Sequence, residues 1–218
     1  MSDTGDISGP RGIVLPARNA CFDVAESLGL KYFLELDDDY TSFRYRYIEG
    51  PKLASEKIEN LDGVFDAYLD FLDESQALTV CFGQGGDYMG GASCFHRLQW
   101  KRKAMNSFFC RTDRPWQFVG RINEDTNAYV SLGQRGELLC TLGDICLTQA
   151  ETQAQSGGLT ESYLDMGTYM KSFYSVMYCP SAVKVDVMGT TGLRLHHWID
   201  WDKCTPKIIS DKYKRGIA

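Results

Sequence analysis

The sequence predicts an α/β fold in three layers and one domain. Two observations carry this. Short apolar runs alternate with amphipathic stretches over the first eighty or so residues, and the second half mixes further strand-like and helical pieces. With 218 residues, 44% of them hydrophobic, the chain can bury a core without disulfide staples, and the composition excludes disorder for its bulk. Gly supplies 21 residues, so turns and loops carry weight.

Residues 1–11 read as a flexible lead to a single domain spanning 1–218. GIVLPA (12–17) predicts a short buried strand ended by Pro16. Asn19 follows as an N-cap, with Ala20, Val24, Ala25 and Leu28 at helical spacing and Gly29 as the stop. KYFLEL (31–36) predicts a second buried strand, running into Asp37, Asp38 and Asp39. This order is a βαβ unit, whose strands are expected parallel. TSFRYRYI (41–48) alternates as a strand, with Phe43, Tyr45 and Tyr47 on one face and Arg44 and Arg46 on the other.

Leu53, Ile58, Leu61, Val64, Phe65, Tyr68, Leu69 and Leu72 form an apolar stripe and predict a helix over 53–74. ALTVCF (77–82) predicts a strand, followed by the Gly-rich GQGGDYMGG (83–91). Residues 93–122 are mixed; a short helix is expected over 124–132 and a strand or strand pair over 138–150. A helix over 161–175 and strands over 182–188 and 193–199 complete the reading, and the tail DKYKRG is basic.

Net charge is −6, which argues against a polybasic nucleic-acid binder but leaves room for a local basic patch. No apolar run is long enough for a transmembrane helix, and the first ten residues lack a signal-peptide pattern. The eight Cys form no Cys-x-x-Cys, and several lie in apolar stretches. Free thiols in a reducing cytoplasm fit this usage better than a zinc site.

Chemistry concentrates in LELDDDY (34–40). Acids at the carboxyl end of a strand sit where open α/β sheets bind ligands, and carboxylates suit Mg²⁺ or Mn²⁺. The i, i+2 spacing lets Asp37 and Asp39 act in different directions; the plain alternative is a solvated acidic turn. Pro16, Ala17, Arg18 and Asn19 close the first expected strand, and the Arg18 guanidinium suits a diphosphate unless it is a surface residue. Glu124 and Asp125 open the expected helix within GRINEDTNAYV (120–130), as helix-end acids or as a general base. His196 and His197 are adjacent, so an extended chain points at most one of them into a site. His96 carries no functional expectation. The Gly run lacks the spacing of either common nucleotide loop. Lys101, Arg102 and Lys103, and the basic tail from Lys212 to Arg215, are either solvated faces or contacts to phosphates. Trp100 and Trp116 are either core residues or platforms for an exposed base.

In order, these features resemble the GT-A glycosyltransferases: Arg-Asn before a helix, a strand ending in Asp-x-Asp, a Gly-rich loop, Glu-Asp at a helix start and a late His. LPARNACFDVAESLGLKYFLELDDDY (15–40), GRINEDTNAYV (120–130) and LRLHHWIDWDKCTPKIISDKYK (193–214) more narrowly resemble the TET-associated glycosyltransferase family, found largely in bacteriophages. The resemblance implies a GT-A-like three-layer sandwich with a mostly parallel central sheet. It implies transfer of glucose, a hexosamine or arabinose from a UDP-sugar to a hydroxymethylated or hydroxylated pyrimidine in double-stranded DNA. The expected setting is the cytoplasm, that of the bacterial host if the chain is viral, with no membrane partner.

The same resemblance distributes the roles. Asp39 and Asp37 would hold Mn²⁺ or Mg²⁺, with His196 or His197 completing the shell. Pro16, Ala17, Arg18, Asn19, Asp37 and Asp38 would meet the donor. Asp125, beside Glu124, would be the catalytic base, with Asp87 as a second candidate. Three other readings stand beside this one: a GT-A enzyme acting on protein or a small molecule, a nucleotidyltransferase, and a non-catalytic binding domain.

Overall fold

The computed structural model describes residues 14–84, 91–98, 107–149, 171–188 and 194–204. Asp87, Trp100, Lys101, Arg102, Lys103 and the basic tail lie outside them, as do residues 161–170 of the expected late helix.

Among the described residues the first element is a helix, α1 (Leu15–Ser27), which takes residues 15–17 of the expected strand. Pro16 falls in its first turn, where a missing N–H costs nothing and the fixed φ favours a helix. A short apolar run ending in Pro therefore opens a helix as readily as it ends a strand. The N-cap is Val14, and Asn19 lies inside the helix. α1 buries Leu15, Arg18, Phe22 and Ala25, one face at helical spacing that carries a cation.

β1 (Tyr32–Leu36) and β2 (Tyr40–Glu49) follow where strands were expected, although β1 is not the buried strand its apolar run suggests: it lies at the edge of the sheet and only Glu35 is buried. A third strand, β3 (Lys52–Lys57), occupies the start of the expected 53–74 helix. α2 (Asp62–Ser75) begins only at Asp62 and buries Val64, Tyr68 and Leu72, spaced four apart. The β2–β3 hairpin captured the preceding residues, because Leu53 and Ala54 pair across to Ile48 and Tyr47. β4 (Thr79–Gln84), α3 (Ala92–Leu98), β5 (Ser107–Arg111), α4 (Glu124–Gln134) and β6 (Leu139–Gln149) come next. Helical residues 171–178 (α5), strands β7 (Val183–Met188) and β8 (Arg194–Ile199), and the short α6 (Trp201–Cys204) complete the described chain.

Among the described residues the main sheet has six strands in the order β1-β5-β4-β6-β2-β3, and β7 and β8 form a separate antiparallel pair. The expected mostly parallel sheet is not formed. Only β4 and β6 pair in parallel; the other four pairings of this sheet are antiparallel. The parallel expectation rested on a strand before α1, and among the described residues β1 pairs instead with β5.

The link between β1 and β2 dictates the sheet's shape. Only Asp37, Asp38 and Asp39 separate Leu36 from Tyr40, yet three strands lie between β1 and β2. Four virtual bonds reach about 14 Å. A flat sheet would place these strands about 19 Å apart. The sheet must therefore curl, and the acidic turn bridges its open side. Because β1 and β4 are each antiparallel to β5, strands β1, β4 and β6 run in one direction. Their carboxyl ends thus lie at one edge, which Asp37, Gln84 and Gln149 share with Tyr40 at the start of β2.

Helices cover both faces. Val80, Phe82 and Phe109 pack with Val64, Tyr68 and Leu72 of α2. The alternate residues Cys81, Phe108 and Cys110 pack with Leu15 and Phe22 of α1 and with Ala128 and Tyr129 of α4, in a cluster that reaches Val183 and Ile199. The expected α/β class is met, around a curled, mostly antiparallel sheet and not the mostly parallel one. Trp116 is buried against Phe22, Phe108 and Phe118, as its core reading expects. Phe43 packs against Phe65 and Phe82, whereas Tyr45 and Tyr47 are exposed and Arg46 is buried. Arg46 reaches the Gln84 carbonyl. Cys81, Cys110, Cys146, Cys179 and Cys204 are buried free thiols; Cys21, Cys94 and Cys140 are half-buried free thiols. No helix of the described residues is long and apolar enough to cross a membrane.

Candidate active site

Arg18 is the hub of the site. Its side chain is only 4% exposed and meets three carboxylates. Nε donates to Glu124 Oε1 at 2.9 Å, Nη1 to Glu35 Oε1 at 2.7 Å and Nη2 to Asp37 Oδ1 at 2.7 Å. The rings of Phe108 and Phe118 stand 5.7 and 5.3 Å from the guanidinium carbon. A planar fork with separated donors can serve three acceptors at once; an ammonium cannot. The Arg18 expected to face a diphosphate thus ties together α1, β1 and the start of α4.

Local sequence explains the convergence. Glu35 and Asp37 are two residues apart, so β1 presents both to one side. Glu124 and Asp125 occupy the first turn of α4, where unpaired backbone N–H groups favour negative charge. Asn123, before that turn, has φ 54°, a left-handed conformation that Asn tolerates. Its Nδ2 donates to the Lys171 carbonyl and Ser175 Oγ, which anchors the turn to α5. Gly120 has φ +84°, and a Cβ there would lie 2.5 Å from Asn127 Nδ2. Asn127 Nδ2 in turn donates to the carbonyls of Val119 and Ile122. The GRINEDTN segment is therefore wrapped around its own asparagines.

Charge is unbalanced here. One guanidinium faces Glu35, Asp37 and Glu124, with Asp125 buried alongside. Burial raises the pKa of Glu35, Asp37 and Glu124 above the usual carboxylate range, and Arg18 opposes the rise at each. Asp125 and Asp39 add to the rise at Asp37. Glu124 is pushed up to about 7, chiefly by burial and then by the Asp125 charge. Tyr40, whose hydroxyl accepts from Gln84 Nε2 at 3.1 Å, is held well above its ordinary value by burial, with Asp37 and Asp39 adding to it.

Asp39 stands apart from the guanidinium. Its Oδ2 accepts from Gln149 Nε2 at 2.7 Å, and its Oδ1 is buried without a hydrogen-bond partner. Asp37 and Asp39 thus address different partners, Arg18 and Gln149. Asp38 is exposed in the turn. Among the described residues, no three His, Cys, Asp or Glu side chains are grouped to hold a metal ion. His196 and His197 therefore do not join Asp37 and Asp39 as a ready-made ligand set. Their rings are stacked with centroids 4.3 Å apart, although successive strand residues are expected on opposite faces. Magnesium is usually held by one or two carboxylates, with substrate phosphate and water supplying the rest. Asp37 and Asp39, the latter with a buried unpartnered oxygen, fit a divalent cation in that manner and not as an all-protein cage.

The other expected donor residues lie on the neighbouring face of α1. Pro16 and Asn19, with Phe22, Asp23 and Trp116, line an open cavity of about 510 Å³. Asn19 uses both ends of its amide on the backbone of Phe118, donating to the carbonyl at 3.2 Å and accepting from the N–H at 2.8 Å. Ala17 is exposed beside them. Sequence reasoning missed Glu35, Tyr40, Gln84 and Gln149. For Glu35 the signal was present: an acid alternating with Leu34 and Leu36, in step with Asp37.

No curated relative and no solved structure matches the chain. The family model described as TET-Associated Glycosyltransferase matches residues 10–158. That span holds Arg18, Glu35, Asp37, Asp39, Glu124, Asp125 and Gln149, and on this evidence the chain belongs to the TET-associated glycosyltransferase family.

Proposed function

We propose that the protein transfers a sugar from a UDP-sugar to the hydroxyl of a hydroxymethylated or hydroxylated pyrimidine in double-stranded DNA, as one domain over 1–218. The observation that carries this reading is that Asp37, held by Arg18, lies close enough to Asp125 and Asp39 for their charges to act on it, within the segment that matches a glycosyltransferase family. Asp125 accepts the proton of the acceptor hydroxyl as its oxygen bonds to the anomeric carbon and the bond from that carbon to the diphosphate breaks. Glu124, Glu35 and Arg18 hold the start of α4 against β1, which fixes where Asp125 stands. The cavity at Pro16 and Asn19 suits the nucleotide end of the donor. Ala17, the turn residue Asp38 and the bacteriophage setting stay within this reading as the resemblance implies them.

Asp37 and Asp39 would hold the Mn²⁺ or Mg²⁺, and His196 or His197 is the further candidate ligand. The cation's chemistry when bound is to offset charge that builds on the departing diphosphate. UDP then leaves, and the anomeric centre inverts if attack is in line.

The test is mass analysis of nucleosides. Purified protein, Mn²⁺ and hydroxymethylcytosine-containing DNA are mixed with a panel of UDP-sugars, and the DNA is digested. The expected result is a sugar-sized mass increase that EDTA abolishes. UDP release without a change in nucleoside mass would move the acceptor to protein or a small molecule, and pyrophosphate release would favour a nucleotidyltransferase.

A further inference from the structure

Two carboxamides stand at the carboxyl ends of the parallel pair, Gln84 on β4 and Gln149 on β6. They make different contacts. Gln84 reaches the Tyr40 hydroxyl, whereas Gln149 donates to Asp39 Oδ2 at 2.7 Å. The strand register brings Gln149 there. Gln149 pairs directly with Tyr40, the residue after Asp39, and the β2–β6 pairing shifts between Tyr40 and Ser42.

The two acids at this corner are held in contrasting ways. Asp37 is tied to a buried guanidinium, which offsets its charge. Asp39 is tied to a neutral amide, which fixes its orientation and leaves its charge intact. One oxygen of Asp39 is thereby immobilised, while the other is buried with no hydrogen-bond partner. Leaving an acceptor in that state costs stability with no return inside the protein. A fixed amide beside it is the arrangement by which outer contacts aim a ligating carboxylate.

We propose that Gln149 is a positioning residue that aims the free oxygen of Asp39 at a divalent cation. This rests on the reading of Asp39 as a metal ligand. Gln149 need not touch the ion; it acts through Asp39.

The experiment titrates Mn²⁺ into the full chain with saturating UDP and measures the free ion by electron paramagnetic resonance. Gln149→Leu removes the donor from a half-buried strand end. It is expected to raise the apparent Kd for Mn²⁺ about tenfold or more, with an unchanged melting temperature. Gln149→His, which keeps an N–H donor, should recover part of the loss. In an Asp39→Asn background, Gln149→Leu should weaken Mn²⁺ no further. Unchanged Mn²⁺ affinity in Gln149→Leu, with a large loss in Asp39→Asn, would overturn the positioning role and leave the metal reading standing. Unchanged affinity in Asp39→Asn would overturn both. A loss in Gln149→Leu that is just as large in the Asp39→Asn background would also overturn it, because the effect would not pass through Asp39.

Discussion

Replacing Arg18 with Met keeps the length of the side chain on α1 and removes the guanidinium. Arg18 and its partners Glu35 and Glu124 are almost fully buried, and three hydrogen bonds of 2.7–2.9 Å are lost together. Removing one partner of a buried ion pair costs about 3–5 kcal/mol, because it strands the other charge. Here the stranded charges are carboxylates, which can take up protons. Burial already holds Glu124 up to about 7 with Arg18 present, so the folded state binds a proton that the unfolded chain has released. Stability from this source is complete at low pH and is lost as pH rises through about 7. Without Arg18 the carboxyls move higher still, and the variant pays most where they are forced to ionise. Urea unfolding followed by circular dichroism should give a loss of about 3–5 kcal/mol at pH 8 and roughly half of that at pH 5. Arg18→Lys, which keeps the charge without the fork, should fall between Met and the parent. An equal loss at both pH values, or a loss below about 1 kcal/mol at pH 8, would refute the hub.

Three further outcomes follow from the same geometry. Glu124→Gln should flatten the pH profile: a rise from 4.5 to about 7 corresponds to roughly 3 kcal/mol of stability lost between acid and mildly alkaline pH, and thermal melts at pH 5 and pH 8 should then differ less than in the parent. Identical pH slopes would contradict this. Gly120→Ala forces a Cβ to within 2.5 Å of Asn127 Nδ2 at φ +84° and should cost about 1–3 kcal/mol by chemical denaturation; a neutral result would mean that the GRINEDTN wrap is looser than described. Leu72→Ala, on the buried side of α2 at a position 0% exposed, should cost about 2–5 kcal/mol, and a cost below that range would show that α2 is not the cover of this face.

The strands were legible where their residues speak through alternation or a continuous apolar run, as in KYFLEL, TSFRYRYI and ALTVCF. Their pairing was not, because an apolar run carries no information about which neighbour it meets. The first expected strand failed on Pro16, which suits a helix start as well as a strand end. Lys52–Lys57 went unread because its strand character comes from the hairpin with β2 and not from its own composition. At the site, the acids were legible as a cluster, whereas the role of Arg18 was hidden until α1 was seen to start at Leu15. That start places Arg18 between Leu15 and Phe22 on the buried stripe. Gln149 lies 110 residues from Asp39, and only the β2–β6 register brings them together.

Asp125, as the proposed base, is the residue whose loss tests sugar transfer most directly. The direct measurement is the rate of sugar transfer to hydroxymethylcytosine-containing DNA by Asp125→Asn at saturating UDP-sugar, beside the parent protein. Asp125 is buried in the first turn of α4, and the change from carboxylate to amide alters little in its shape. The predicted result is a fall in kcat of about 10²–10⁴, with the donor KM and the melting temperature retained. Turnover of Asp125→Asn at the parent rate would contradict the account and move the reaction away from the Arg18 cluster.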